Sequence, residues 1–458
     1  STSASPSSLT SMRSSTAPVW ARSLSALPHS LSQERQDPMT MELLAPAGGP
    51  EQLEYAIRFG ADAVYLACER FGMRAKATNF KLADLPSVVE YAHERGVKVH
   101  LACNVAVHAG EMNELADYLK AAQAAGVDAL IIGDLGAAAL ARELAPDVDI
   151  HVSTQANITN AQAAKVWHGL GATRIVAARE LSLEDLASLK RELPQGMELE
   201  AFAHGAMCMA YSGRCLLSDY LNGRSGSRGN CAQSCRWKYA LAESWEPDRW
   251  YPIEEDSHGS YLLNAEDICM LEHLQELEDA GIDSIKIEGR NKKAYYVACV
   301  TNAYRQVLDG RPASELMMEL ESVSHRPYST GFYFGPAHQT AGELCYIRKT
   351  QWVAQVLECE QLYVGVWQIR FKCRNKCAPG DSFELLSPGK PVRKLELSRL
   401  RYDPASRANV LSDKASPDWQ PESDEPIPVD IADHPAEDYL AVIDCEAFPG
   451  DIIRKVAL

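Results

Sequence analysis

No stretch of the 458 residues approaches the roughly 18 uninterrupted apolar positions that a membrane-spanning helix needs, so a soluble protein with no membrane partner is expected. Positive charge is in short supply. Lys and Arg number 45 against 62 Asp and Glu, a formal net charge of -17. That balance excludes a protein that coats nucleic acid indiscriminately, though not one that holds it on a local basic face. There is no His-Glu-x-x-His and no Gly-x-Ser-x-Gly, so the zinc-protease and serine-hydrolase signatures are missing. Acidic residues are absent from Ser1 to Gln33, a Ser-rich stretch carrying Arg13 and Arg22. This composition is that of an organellar transit peptide without the apolar core of a secretory signal. Sequence upstream of a start at Met39 or Met41, or a disordered tail, is the plainer reading. Residues 1–40 are therefore set apart from the fold, with the cytoplasm as the expected location and an organelle as the alternative.

Cysteine, by contrast, is plentiful. Thirteen in a long chain, an odd number, argue against a disulfide framework and for a reducing compartment. Cys68, Cys103 and Cys299 sit inside apolar patterns as small buried thiols, and Cys373 and Cys377 read as structural.

From Met41 short apolar runs alternate with amphipathic stretches. The runs cover residues 42–45, 63–67, 97–105, 129–132, 150–154, 174–177, 199–203 and 284–287; helical patterns cover 50–59, 82–95, 111–125, 161–170, 183–192 and 269–280. The phrases GADAVYLA, GVDALIIG, GATRIVAA and GIDSIKIEG repeat a glycine that caps a helix before a buried strand. Strand–helix alternation means parallel pairing with right-handed crossovers. Eight such units predict a TIM-type (β/α) barrel over residues 41–335, with a doubly wound sheet as the competitor. A long insertion, about 205–263, follows the seventh run, at the end of a barrel strand where such enzymes keep their sites. Residues 336–458 turn to short alternating runs separated by Gly and Pro, which predict a small β-barrel-like C-terminal domain.

The insertion holds Cys208, Cys215, Cys231 and Cys235, and Cys269 follows in LNAEDICML. Thiolates suit zinc or iron–sulfur centres. The spacings are not those of paired Cys-x-x-Cys zinc knuckles, and Lys238 stands where a radical-SAM loop would place its third cysteine. Gly213, Arg214, Gly229 and Arg236 surround the thiols with the donors and cations a negatively charged cluster needs.

Glu200, Phe202, Gly205, Ala206, Met207, Cys208, Gly213, Cys215, Leu217 and Ser218 resemble the signature of peptidase family U32, the collagenase-like peptidases. ELLAPAG at 42–48, GADAVYLA at 60–67 and KIEGR at 286–290 extend the resemblance, which runs from Met41 to the C-terminus. The family includes the tRNA hydroxylation protein P branch, which works on wobble uridine, together with members that hydroxylate 23S rRNA or act in ubiquinone synthesis. Length and the short β-rich tail are most similar to the tRNA branch. The resemblance implies a [4Fe–4S] cluster on Cys208, Cys215 and Cys231, with Cys269 or Cys235 as fourth ligand. It also implies formation of 5-hydroxyuridine in the anticodon region of tRNA, with prephenate as the co-substrate that supplies the hydroxyl. A homo- or hetero-oligomer fits the family's habits.

Two further readings stand beside that one. In a U32-type peptidase, Cys208 would work with His204 or His151. In a non-catalytic scaffold, the cluster-bearing subunit would hand substrate to a partner. For RNA, Arg214, Arg224, Arg228, Arg236 and Lys238 face a single acid, Asp219, and Arg290, Lys292 and Lys293 follow. Trp237, Tyr239 and Tyr211 are the candidate base-stacking side chains. Asn104, Gln155, Arg179, His204, Glu288 and Arg290 fall at predicted strand ends and are the candidates for substrate handling. Among them Arg179 or Arg290 would pair the carboxylate of the small-molecule donor. Glu42 and Glu200 read as structural, and Glu288 would pair Lys286 or an arginine.

Overall fold

The computed structural model describes residues 39–74, 77–208, 210–211, 215–237, 240–243, 246–252, 266–337, 347–406 and 425–456. The Ser-rich N-terminal segment to residue 38, Gly213, Arg214, Lys238, Tyr239 and the side chain of Arg236 lie outside the described residues.

All eight predicted runs are strands of one barrel. They are β1 (Glu42–Pro46), β2 (Ala63–Leu66), β3 (Lys98–Cys103), β4 (Ala129–Ile132), β5 (Asp149–Val152), β6 (Ala172–Val176), β7 (Glu198–Ala206) and, after three short strands elsewhere, β11 (Ser284–Ile287). Each pairs in parallel with the next, and β11 pairs in parallel with both β7 and β1, which closes the barrel. Continuous burial explains why these runs read as apolar: a parallel strand under a helix layer is covered on both faces. The covering helices are α1 (Pro50–Arg58), α2 (Leu85–His93), α3 (Met112–Ala125), α4 (Leu135–Leu144), α5 (Ala161–Gly169) and α6 (Leu183–Glu192). The capping glycines behave as the repeated phrase predicts: Gly60, Gly126, Gly171 and Gly281 have φ of 96, 75, 89 and 84°, in the left-handed region.

Within the insertion lie a six-residue helix, α7 (Leu217–Asn222), and a hairpin, β8 (Ala240–Glu243) and β9 (Glu246–Pro252). Residue 269 does not begin a helix, as the amphipathic stretch 269–280 predicts. Cys269 instead ends β10 (Asp267–Cys269), which pairs antiparallel with the overhanging end of β7, and helix α8 (Leu274–Asp279) starts five residues later. Helices α9 (Ala294–Leu308) and α10 (Met317–Ser322) and the short strand β12 (Tyr328–Ser329) complete this half.

The rest is a separate eight-stranded antiparallel sheet with its own apolar core. It consists of β13 (Thr350–Tyr363), β14 (Val366–Cys373), β15 (Phe383–Leu386), β16 (Arg393–Leu395), β17 (Leu397–Tyr402), β18 (Ile427–Pro428), β19 (Asp438–Ile443) and β20 (Ile452–Val456). Trp352 of β13 docks edge-on against Tyr55 of α1, 5.4 Å between ring centres. Buried Arg454 joins Glu384 of the sheet to Glu319 of α10, at 2.7 and 2.6 Å. No helix among the described residues is long and apolar enough to cross a membrane.

Candidate active site

Toward the ends at which its strands begin, the barrel is plugged by charge. Arg174 of β6 donates to Glu42 at 2.5 Å and to Glu200 at 3.1 Å, and lies 2.6 Å from Glu198. Lys286 of β11 donates to the other oxygen of Glu200 at 2.8 Å. Burial alone would raise both carboxyls, but the Arg174 guanidinium holds Glu42 down at about 2, and Lys286 and Arg174 keep Glu200 ionised. The structural reading of Glu42 and Glu200 thus agrees with their partners.

His100 of β3 and His151 of β5 meet edge to face beside this plug, 4.7 Å apart, and burial drives both below the ordinary imidazole range, His100 to about 4. Ligand atoms of His100, His151 and Glu200 lie within 4.8 Å of one another. A divalent cation there would confront two cations already fixed on Glu200, a repulsion on the order of 4 kcal/mol per pair of unit charges at close range. We read the group as part of the ionic core.

Above the plug, where the strands end, a cavity of about 110 Å³ opens. Lys286, Tyr65, Ile131 and Phe202 form its floor; Asn104, Gln155, Arg179, Glu288 and Arg290 line its wall. These five wall residues are strand-end candidates, and the structure gathers them in one place. Arg179 donates to Glu288 at 2.7 Å and to the Ala206 carbonyl at 3.1 Å, with its guanidinium 3.8 Å over the Phe202 ring. Arg74, from the loop after β2, approaches Glu288 at 3.4 Å. Burial would raise the Glu288 carboxyl, yet Arg74 and Arg179 hold it at about 2. Glu288 therefore pairs arginines, and Lys286 belongs to Glu200. Arg290 is 3% exposed and has no carboxylate within ion-pair distance among the described residues; it reaches the Asn79 amide oxygen at 3.4 Å. Burial pulls its guanidinium down to about 10.

The insertion closes over this wall. Arg228 pairs with Glu111 at 2.5 Å and donates to the Ala106 carbonyl, also at 2.5 Å. Gly229, with φ of 77°, packs so closely on Met73 and Arg74 that a Cβ would sit 3.0 Å from their backbone. Arg224 donates to the carbonyls of Asn230 and Cys231. Two arginines of the anticipated basic patch are thus spent on anchoring the insertion, a use that composition does not reveal. Lys292 likewise donates to the Ser324 carbonyl.

Anchored this way, the insertion brings Cys208, Cys215 and Cys231 into the lining of the cavity. A second cavity beside it is lined by Cys208, Cys231 and Cys235 together with Arg74 and Arg179. The backbone N–H of Gln233 donates to the Cys231 sulfur at 3.3 Å. None of the four is in a disulfide. Soft sulfur donors that share a cavity with Arg74 and Arg179, one of the sulfurs accepting a backbone N–H, fit an iron–sulfur cluster.

Cys269 and His204 line neither cavity. Cys269 is buried on β10, within 4.0 Å of the Tyr304 hydroxyl, and burial pushes its thiol up to about 11. His204 packs against Tyr304 and Tyr328, and burial drives it down to about 3. The reason is a bulge. Lys286 pairs with Phe202, but Ile287 pairs with His204, so one extra residue on β7 reverses the facing of the residues beyond it. No imidazole lines either cavity with Cys208, so the thiol–imidazole pair required by a cysteine peptidase is not assembled among the described residues. Sequence reasoning missed Arg74 and Tyr65. Tyr65 carries a signal, since alternation along β2 points it inward; Arg74, in an irregular loop at φ 70°, carries none.

A family model for peptidase family U32 matches residues 48–343. The chain is 34% identical over 397 residues to tRNA hydroxylation protein P of Haemophilus influenzae, covering 76% of this chain and 86% of that one. It is 32% identical to tRNA hydroxylation protein P1 of Bacillus subtilis, with 90% and 94% covered. A collagenase of Porphyromonas gingivalis is 33% identical, covering 64% and 73%. With most of the barrel and its cysteine insertion inside the match, the chain belongs to peptidase family U32.

Proposed function

We propose that this protein hydroxylates RNA, converting the wobble uridine of tRNA to 5-hydroxyuridine with a hydroxyl group derived from prephenate. The names of the relatives covering most of its length support the substrate class. The observation that carries the chemistry is the meeting of three insertion thiols, Cys208, Cys215 and Cys231, with a cation-rich cavity at the strand ends, with Cys235 in the cavity beside it.

Cys208, Cys215, Cys231 and Cys235 are the residues that would hold a [4Fe–4S] cluster. Such a cluster would supply a redox-active metal edge to the mouth of the cavity. The chain's own residues bind and orient. Arg74, Arg179, Arg290 and Lys286 line the cavity against one carboxylate, Glu288, with Glu200 behind Lys286, so an anionic molecule is favoured inside it. Arg290, buried and with no carboxylate partner among the described residues, is the fork for a donor carboxylate. Glu288 fixes Arg179 and Arg74 so that both flank the cavity in one orientation. Asn104 is oriented by the Met73 N–H and the Ser153 hydroxyl, at 3.0 and 3.3 Å. With Gln155 it presents amide groups able to read a pyrimidine edge.

The test is anaerobic incubation of the purified protein with undermodified tRNA and prephenate, followed by nucleoside mass spectrometry. Prephenate-dependent 5-hydroxyuridine is the expected product. Its absence with an iron-replete protein would reject the proposal.

A further inference from the structure

Large apolar side chains left bare are unevenly distributed. Of the fourteen exposed among the described residues, five lie between Tyr211 and Trp237, inside the insertion. Tyr220 is 90% exposed, Leu216 75% and Trp237 48%. Leu216 precedes α7 and Tyr220 lies four positions on, so the two share a helical face. Trp237 follows the single turn Ser234–Arg236. Asn222 at the end of α7 donates to Ser234 of that turn at 2.7 Å, which ties the two elements together.

These same short elements carry the thiols. Cys215 directly precedes Leu216, and Cys235 lies two residues before Trp237. The insertion therefore directs cysteines toward the cavities and leaves aromatic and aliphatic surface in solvent beside them. Exposed patches of this kind on otherwise well-packed proteins mark binding surfaces. Local charge selects the partner. In a chain of net charge -17, residues 208–237 carry Arg214, Arg224 and Arg236 against Asp219, apart from Arg228, which Glu111 neutralises. Aromatics interleaved with arginine suit a polyanion whose bases stack. Only unpaired bases offer their faces, so a single-stranded loop is favoured over a duplex.

We propose that Tyr220 and Trp237, flanked by Leu216, form a stacking platform for unpaired RNA bases next to the cavity mouth. It rests on the RNA-hydroxylation reading and deepens it, by saying which side chains hold the strand beside the target base. Neither side chain touches the reacting atoms; both act by positioning.

Holoprotein purified without oxygen would be titrated against a fluorescein-labelled RNA stem–loop and, separately, a fully paired duplex. Wild type should favour the stem–loop. Tyr220→Ala and Trp237→Ala should each weaken that binding about 5- to 150-fold, the range of base–aromatic stacking. Both variants should keep their iron content, and raised tRNA should restore kcat. Tyr220→Phe, which retains a π face, should bind as wild type does, as should Met318→Ala, an exposed apolar residue on α10. Unchanged affinity in both alanine variants, while wild type binds and modifies RNA, overturns the platform and leaves the hydroxylation reading intact. If wild type neither binds nor modifies RNA, both proposals fail. Light scattering that shows the alanine substitutions dissolving a dimer, with RNA affinity unaltered, would also overturn the platform, by assigning the patch to a second copy of the chain.

Discussion

Arg179, just beyond β6, and Glu288, just beyond β11, meet at 2.7 Å with the guanidinium buried and the carboxylate largely covered, and Arg74 joins them at 3.4 Å. One carboxylate thus holds two guanidiniums from different loops. Removing a partner from a buried pair leaves an uncompensated charge and costs about 3–5 kcal/mol. Glu288→Ala should destabilise the protein by about that amount in urea titrations and lower modification at least about 100-fold, since the arginines lose their placement. The sign of the pH effect is fixed by the same contacts. Glu288 is held at about 2, below its ordinary 4.5, so its stabilisation is complete above 4.5 and disappears only as pH falls through about 2. An activity loss between neutrality and pH 5 that vanished in Glu288→Gln would contradict this assignment.

Arg290 presents the opposite case: a buried cation without a carboxylate among the described residues. Arg290→Ala should leave the melting temperature unchanged or slightly raised, because no ion pair is broken. It should raise KM for the anionic donor about 10- to 100-fold, the worth of a charge-assisted hydrogen bond. A Cβ at Gly48 would lie 1.9 Å from the Arg290 carbonyl oxygen, so Gly48→Ala must push the Arg290 backbone aside. It should reproduce the KM effect with added instability. If Arg290→Ala lowers kcat with KM untouched, the donor-binding role is wrong.

The residues that are legible in the amino-acid sequence share a physical origin. Parallel strands covered on both faces are mainly apolar, interrupted here by the residues of the ionic plug and the strand ends, so all eight can be read from the sequence pattern. Asn104, Gln155, Arg179, Glu288 and Arg290 are legible because each lies just beyond such a run. The residues that escape depend on long-range pairing. His204 continues the same run, but the register shift opposite Lys286 turns it outward. Cys269 sits in a helical pattern, but β7 overhangs the barrel and captures it as a strand. Arg74 lies in a loop whose path no local periodicity records.

The choice between Cys235 and Cys269 as fourth ligand is settled experimentally by two variants. Cys235 shares a cavity with Cys208 and Cys231, whereas Cys269 is shut behind β7 with Tyr304. After anaerobic reconstitution, Cys235→Ser should hold fewer irons per chain and lose the broad visible absorbance of the cluster. Cys269→Ser should match wild type in iron content while melting somewhat lower, as expected of a polar swap in a packed site. The reverse pattern would move the ligand to Cys269 and require β10 to shift.

Three of the four buried histidines among the described residues illustrate why the fold is sensitive to mild acid. Burial holds His100 at about 4 and His204 at about 3, against an ordinary 6.5, and His151 is also displaced downward. In each case the unfolded chain takes up a proton that the folded chain refuses. Stability is therefore unaffected above 6.5, declines as pH falls below it, and levels off for His100 below about 4. Glu42, held at about 2, adds a loss of the same direction between 4.5 and about 2. Each neutral histidine contributes up to about 1.4 kcal/mol of lost stability per pH unit within its window. Replacing His204, whose Nε2 is buried without a hydrogen-bond partner, by Phe should remove one proton from that slope. Urea midpoints measured from pH 7 down to about pH 4 would then converge between variant and wild type at neutral pH, or favour wild type slightly. At the acid end the variant should be the more stable. Parallel curves across the whole range would mean that His204 is protonated in the folded protein and that its packing against Tyr304 and Tyr328 does not exclude the charge.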